Sequence, residues 1–165
     1  MNTEVNVINL SYLAAFLEAS GHIGIYRYTN KKNGDVYYTT SVRIHNQDER
    51  LMRWLQETFG GYVHKVKENP NYPMYRPELI WCPKAQDIVE LGSILSPYMF
   101  IKKRDLELMV KIRLTYVNNN KKWMKSGIST NDYEVIEQRE IAYKEFKEIF
   151  EQRLNHKRKH NRDKT

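Results

Sequence analysis

Between Tyr12 and Tyr28 the chain reads YLAAFLEASGHIGIYRY, and the residues able to do chemistry stand where two patterns meet. The first half is apolar at helical spacing; the second alternates as a strand. At the join come a carboxylate, Glu18, a hydroxyl, Ser20, and then Gly21. A carboxylate there can hold a metal ion or move a proton. A serine hydroxyl is neutral and a poor ligand for a hard cation. Glu18 lies two residues back, about 200° around a helix, so the two side chains do not reach one point. Elsewhere the chemistry is thin. His45 and His64 stand alone, with no Cys or His at zinc spacing. There is no Gly-x-Ser-x-Gly and no phosphate-binding P-loop. Trp54, Trp81 and Trp123 read as packing residues.

The join must be positioned by its helix. Asn6 or Asn9 can cap a helix running to about Ala19, and Gly21 is a natural stop. Leu10, Leu13, Ala14, Phe16 and Leu17 fall at helical spacing. Ala14 and Ala15 are small, so two such helices can approach closely and bring two copies of position 20 side by side. The same spacing also fits an ordinary core helix.

The rest of the chain continues as alternating elements. His22 to Thr29 and Val36 to His45 read as strands joined by a turn at Asn30 to Asp35, with Asn33-Gly34 as the hairpin signal. Asp48 to Phe59 is helical, a third strand starts at Gly60, and Met74 to Trp81 is a fourth, with Pro77 pointing to an edge or bulge. A helix is expected from Lys84 to Leu95 after Pro83, and another over Lys103 to Val117. A polar connector at Asn118 to Gly127 then leads to a long helix opening at Thr130 or Asn131 and ending near Leu154. This order predicts an α+β domain over 1–154, with four antiparallel strands and helices on one face. The basic stretch 155–165 is expected to be a disordered tail.

The 165 residues carry a formal net charge of +7 and twelve tyrosines, which suits a polyanionic partner. A single cysteine, Cys82, excludes an internal disulfide and suggests a reducing compartment. No apolar run of transmembrane length and no signal-peptide pattern is present, so an intracellular protein without a membrane partner is expected.

The stretch YLAAFLEASGHIGI resembles the signature of the LAGLIDADG homing endonucleases. The match runs Leu13, Ala14, Ala15, Phe16, Leu17, Glu18, Ala19, Ser20, Gly21. IHNQDERLMRWLQETFGG and ILSPYMFIKKRDLELMVKI are similar to later segments of the same family, so the resemblance covers about residues 10 to 113. It implies a homodimer of the single-motif type, with motif helices packed at the two-fold axis through Leu10, Leu13, Ala14, Leu17 and Glu18. It implies a four-stranded saddle over duplex DNA, and Mg²⁺ or another divalent cation held by an acid just before the motif glycine. That acid falls on Ser20. The backbone of Ala19 would be a second ligand, and Glu18 a fallback. The resemblance further implies supporting roles for Asn46, with Gln47 if the register slips, for Arg50, and for Lys102, with Lys103 as the alternate. Because Ser20 replaces the acid, cleavage is expected to be weakened or lost.

Strand periodicity predicts the DNA face. Ile23, Ile25, Val42 and Ile44 point to the helices. Gly24, Tyr26, Tyr28, Asn30, Tyr37, Thr39, Ser41 and Arg43 point the other way, with His64, Lys65, Lys67, Tyr75 and Arg76 from the second hairpin. The inner face at Arg27, Tyr38 and Thr40 is not cleanly apolar, as expected where strands extend beyond the core. Gly24-Ile25-Tyr26 also resembles the opening of GIY-YIG endonucleases, but Tyr37-Tyr38-Thr39 lacks that family's glycine. The expected function is therefore intron- or intein-type DNA homing by a metal-dependent nuclease, in a bacterial, phage or organellar setting. The alternative is a non-catalytic DNA binder or an intron RNA maturase on the same fold.

Overall fold

The computed structural model describes residues 6–66, 78–126 and 133–162. Asn6 caps α1 (Val7–Ala19), its side-chain oxygen accepting from the Asn9 amide at 2.9 Å. Strands β1 (His22–Thr29) and β2 (Val36–Asn46) follow, joined by a turn in which Gly34 takes the left-handed conformation. Asp48 caps α2 (Glu49–Phe59) by accepting from the amides of Arg50 and Leu51. Then come β3 (Tyr62–Lys65), β4 (Leu79–Cys82), α3 (Ile88–Leu95), a 3-10 turn at Ser96–Tyr98, α4 (Lys103–Ser126) and α5 (Tyr133–Arg162).

The sheet order is β1-β2-β4-β3. β4 lies antiparallel to both neighbours, pairing Ile44 with Trp81 on one side and Val63 with Trp81 on the other. The α+β class and the element order agree with the sequence reading.

Three helix boundaries and the burial of one strand residue differ from expectation. α3 starts at Ile88, not Lys84, because Pro83 is buried at the end of β4, with its Cα close to the approach of Gly61. α4 runs through the expected connector to Ser126. The three asparagines cost only a fraction of a kcal/mol each in a helix, roughly 0.7 at most, and no glycine or proline interrupts before Gly127. α5 continues to Arg162 and not only to Leu154, so the expected disordered tail is helical over most of its length. That segment holds good helix formers and no breaker. Finally, Tyr38 is buried and not left beyond the core, as described below. Of the expected fourth strand, residues 74–77 lie outside the described residues, as do Thr130 and Asn131.

The chain divides into two compact units, residues 1–24 with 41–110 and residues 25–40 with 111–165. In the first, Leu13, Leu17, Ile44, Met52, Leu55, Phe59, Trp81, Leu95 and Leu106 make the core. Trp81 donates its indole N–H to the Gly60 carbonyl at 2.8 Å, so the largest core side chain leaves no unpaired polar atom. In the second, Tyr38 is buried, and its hydroxyl donates to Glu140 of α5, which also takes Arg27 at 3.1 Å. Tyr116 of α4 donates its hydroxyl to the Tyr38 carbonyl, and Arg139 stacks 3.7 Å over the Tyr116 ring. The polar inner face at Arg27 and Tyr38 thus has its own partners on α4 and α5. Burial pushes the Tyr38 phenol up to about 12, with Glu140 adding to the shift. Among the described residues no helix is long and apolar enough to cross a membrane.

Candidate nucleic-acid interface

The join after α1 is built by close packing and reciprocal hydrogen bonds. Gly21 lies so near Leu17 that an added Cβ would meet the Leu17 Cα at 2.6 Å. The amides of Ser20 and Gly21 close the helix by donating to the Phe16 carbonyl. Ser20 is exposed, and its hydroxyl donates back to that same carbonyl at 3.3 Å. Glu18 accepts from the backbone amides of Phe100 and Lys102, at 2.7 and 2.9 Å. Lys102 returns the contact: its ammonium donates to the carbonyls of Leu17 and Gly21, at 2.8 and 2.7 Å. A cation at the carbonyl end of a helix is favourable, because those carbonyls carry the negative end of the helix dipole. Glu18 and Lys102 therefore clasp the loop before α4 to the end of α1.

This donor set does not fit a divalent cation. Position 20 offers a hydroxyl already hydrogen-bonded to a carbonyl, and the nearest acid is committed to two backbone amides. Among the described residues no group of three or more His, Cys, Asp or Glu side chains is placed to hold a metal. Mg²⁺ takes oxygen ligands in near-octahedral geometry, usually with one or two carboxylates among them, and position 20 supplies no carboxylate. One oxygen of Glu18, the fallback ligand of the sequence reading, is thus engaged by the loop.

The supporting residues divide into two neighbourhoods. Lys102 is at the join, and Lys103 is exposed at the first residue of α4. Asn46 and Arg50 converge instead on Asp48. The Asn46 side chain accepts from the Asp48 amide at 2.8 Å, and Arg50 pairs with the Asp48 carboxylate at 2.9 Å. Arg50 holds the Asp48 carboxyl down at about 2. Arg50 also lines an open groove of about 510 Å³ with Ile8, Asn9, Tyr12 and Trp54. Tyr12 is eight residues before Ser20, roughly 12 Å along the helix. Gln47 is exposed.

Each unit presents part of the predicted DNA face. In the second unit Tyr26, Tyr28 and Thr39 are exposed, and Tyr28 stacks on Tyr37 at 5.3 Å. Asn30 is half-buried and its side-chain oxygen accepts from the Lys32 amide, so it serves the turn. In the first unit Arg43 is exposed, with Ser41 accepting from its guanidinium at 2.7 Å. His64 and Lys65 are exposed on β3, and Tyr62, which the sequence reading missed, stands beside His64. Its two-residue offset from His64 was the available signal. Gly24 was expected on the open face but is buried, because it lies at the well-packed start of β1 between Ile23 and Ile25. Lys67, Tyr75 and Arg76 lie outside the described residues. His22 and His45 were also not singled out for this face; His45 pairs with Glu78 at 3.1 Å. Burial, then Arg43, His45 and Lys102 in that order, hold the His22 imidazole below its ordinary range.

The expected dimer face of α1 needs correction. Leu10, Leu13, Ala14 and Leu17 are buried in the chain's own core, and the Glu18 carboxylate is held by the loop. The open face is the other one, with Ile8 76% and Tyr12 50% exposed and Ser11, Ala15 and Ala19 on the same side. α1 is apolar nearly all round, so spacing alone could not say which face its own core would take.

No family model matches the sequence, and no curated protein sequence matches it. Solved structures do match. The homing endonuclease I-CvuI, in complex with a DNA target in 2 mM Mg and with the DNA not cleaved, aligns with a TM-score of 0.65 at 16% identity. That alignment covers 86% of this chain and 82% of I-CvuI. The archaeal intron-encoded I-Vdi141I, complexed with DNA, aligns at 0.66 and 14% identity over 86% of this chain and 84% of that one. The LAGLIDADG homing endonuclease I-GzeII, bound to its DNA target, aligns at 0.56 and 21% identity over 86% of this chain but 43% of its own. The chain has the fold of the LAGLIDADG homing endonucleases.

Proposed function

We propose that the chain is a single-motif member of the LAGLIDADG family that binds a long, pseudo-palindromic duplex DNA site as a homodimer. Metal-dependent cleavage is weakened or lost, because Ser20 stands where the metal-binding acid belongs. One observation carries this reading: the shared fold presents exposed tyrosines and cations on the sheet strands, the residue types that meet phosphates and base edges. The fold unit fills most of I-CvuI but under half of I-GzeII, and a second copy of this chain would supply the other half. The copies would meet through the open face of α1.

The test is a pool of randomised duplexes selected on the full-length chain, followed by incubation of the selected duplex with Mg²⁺. The native chain is expected to bind and not cut, and Ser20→Asp or Ser20→Glu to gain cutting. Cleavage by the native chain would mean that the metal site is elsewhere. Selection of structured RNA and not of duplex DNA would favour an intron RNA maturase.

A further inference from the structure

The second unit buries a charge that no carboxylate meets. Arg139 of α5 is 3% exposed. A guanidinium stays protonated inside a protein, so this is a full positive charge taken out of water. Its Nε donates to the Thr115 hydroxyl at 2.7 Å, and that hydroxyl passes its own proton to the Ile112 carbonyl. Its central carbon lies 3.7 Å from the centre of the Tyr116 ring. Both partners are neutral, and the ring offsets only part of the desolvation. Nη2 is buried and donates to nothing. The adjoining acid, Glu140, is engaged by the Tyr38 hydroxyl, Arg27 and Lys144. Among the described residues the other buried side-chain polar atom without a partner is the Thr40 hydroxyl, in the same unit and on the strand face that carries Tyr38. Both orphans can donate a hydrogen bond, so this interior is short of acceptors, and at Arg139 of a negative one. A buried water would accept the N–H but leave the charge. At so little exposure neither a phosphodiester nor a carboxylate from another protein can reach Nη2. A monatomic anion, little larger than a water, can occupy such a place.

We propose that Arg139 holds one halide ion, chloride in the cell, at Nη2 in the interior of the second unit. The ion neutralises the guanidinium and fixes the early turns of α5 against α4, where Thr115 and Tyr116 already meet Arg139. It stabilises the fold and takes no part in contacts with nucleic acid or with a divalent cation.

The test unfolds the full-length chain with urea at constant ionic strength while chloride replaces gluconate. The native chain is expected to gain stability, each tenfold step of chloride above the dissociation constant raising the folding equilibrium constant about tenfold. Arg139→Met keeps a stem of similar length without the charge, and it should lose that dependence. Crystals of the native chain grown in bromide should show an anomalous peak beside Nη2 of Arg139, a readout that stands whether or not Arg139→Met folds. Equal chloride dependence in the native chain and in Arg139→Met overturns the inference. So does a water or a carboxylate at Nη2 in the bromide crystals. A bromide peak with no chloride-dependent stability in solution means binding at crystal concentration only, and overturns it as well.

Discussion

If the chain dimerises as proposed, a charge and a truncation on the open face of α1 should dissociate that dimer without unfolding the monomer. Ile8 is 76% exposed in the single chain. Fully covering an isoleucine is worth about 2–3 kcal/mol, so covering this one recovers about 2 kcal/mol per copy and about 4 kcal/mol in a symmetric pair. Ile8→Ser should therefore raise the dimer dissociation constant by about a thousandfold, since each 1.4 kcal/mol is about tenfold. Ala15→Glu would place two carboxylates on the facing helices of the proposed dimer and should act at least as strongly. The control is Leu13→Ala. Leu13 is fully buried, and the change should cost about 2–5 kcal/mol of folding stability with little effect on association of the folded fraction. Sedimentation equilibrium measures association, and urea titration measures stability. The reasoning fails if Ile8→Ser and Ala15→Glu leave the dissociation constant unchanged, or if Leu13→Ala dissociates a dimer whose subunits remain folded. Either result would return the interface to the face assigned from sequence.

Gly21→Ala should destabilise the chain by about 1–3 kcal/mol, read from the urea midpoint, because its Cβ would collide with the Leu17 backbone. Glu140→Gln should flatten the acid side of the stability profile. The Glu140 carboxyl is held below its ordinary 4.5, first by the Tyr38 hydroxyl and also by Arg27. A depressed carboxyl adds stability above its unfolded value and loses it as pH falls through its folded one, so the native chain should lose more stability than the variant below about pH 4.5. DNA affinity should fall steeply with salt, as log Kd against log salt, and Arg43→Gln should lower the slope by about one counterion.

The strands and the first two helices were legible because each carries its own punctuation. Asn6 and Asp48 cap helices through their side chains, Asn33-Gly34 turns the first hairpin, and Gly60 takes a positive φ after α2. What was illegible depends on partners far along the chain. Arg27, Tyr38 and Glu140 form one group although Glu140 follows Tyr38 by more than a hundred residues, and no local pattern connects them. Spacing alone left both faces of α1 open, because both are apolar. The site shows the same division. The motif places Ser20 and Gly21 without ambiguity, whereas Lys102 was placed by resemblance alone and its hold on the Leu17 and Gly21 carbonyls appears only in three dimensions. The expected connector after Val117 is helical because asparagines are tolerated in a helix when no glycine or proline follows them closely.

Glu18 decides whether the chain could restore a metal site from its own residues. To ligate a cation near position 20 its carboxylate would have to leave the Phe100 and Lys102 amides. Each amide would lose a charge-assisted bond worth about 1.5–3 kcal/mol at most, and less where water can reach it. The loop holding Lys102 would also lose its anchor, so recruiting the acid would displace the ammonium that faces the same carbonyls. The two roles predict different variants. As a loop anchor, Glu18→Ala should cost about 2 kcal/mol in urea titration, and Glu18→Gln, which keeps an acceptor oxygen, about 1 kcal/mol or less. Neither should alter Mn²⁺ uptake. A hidden metal ligand would behave in the opposite way, with stability nearly unchanged in both variants and Mn²⁺ uptake present in the native chain but abolished by Glu18→Gln. Observing that second pattern would refute the anchor and, with it, the assignment of Lys102 as the cation of the site.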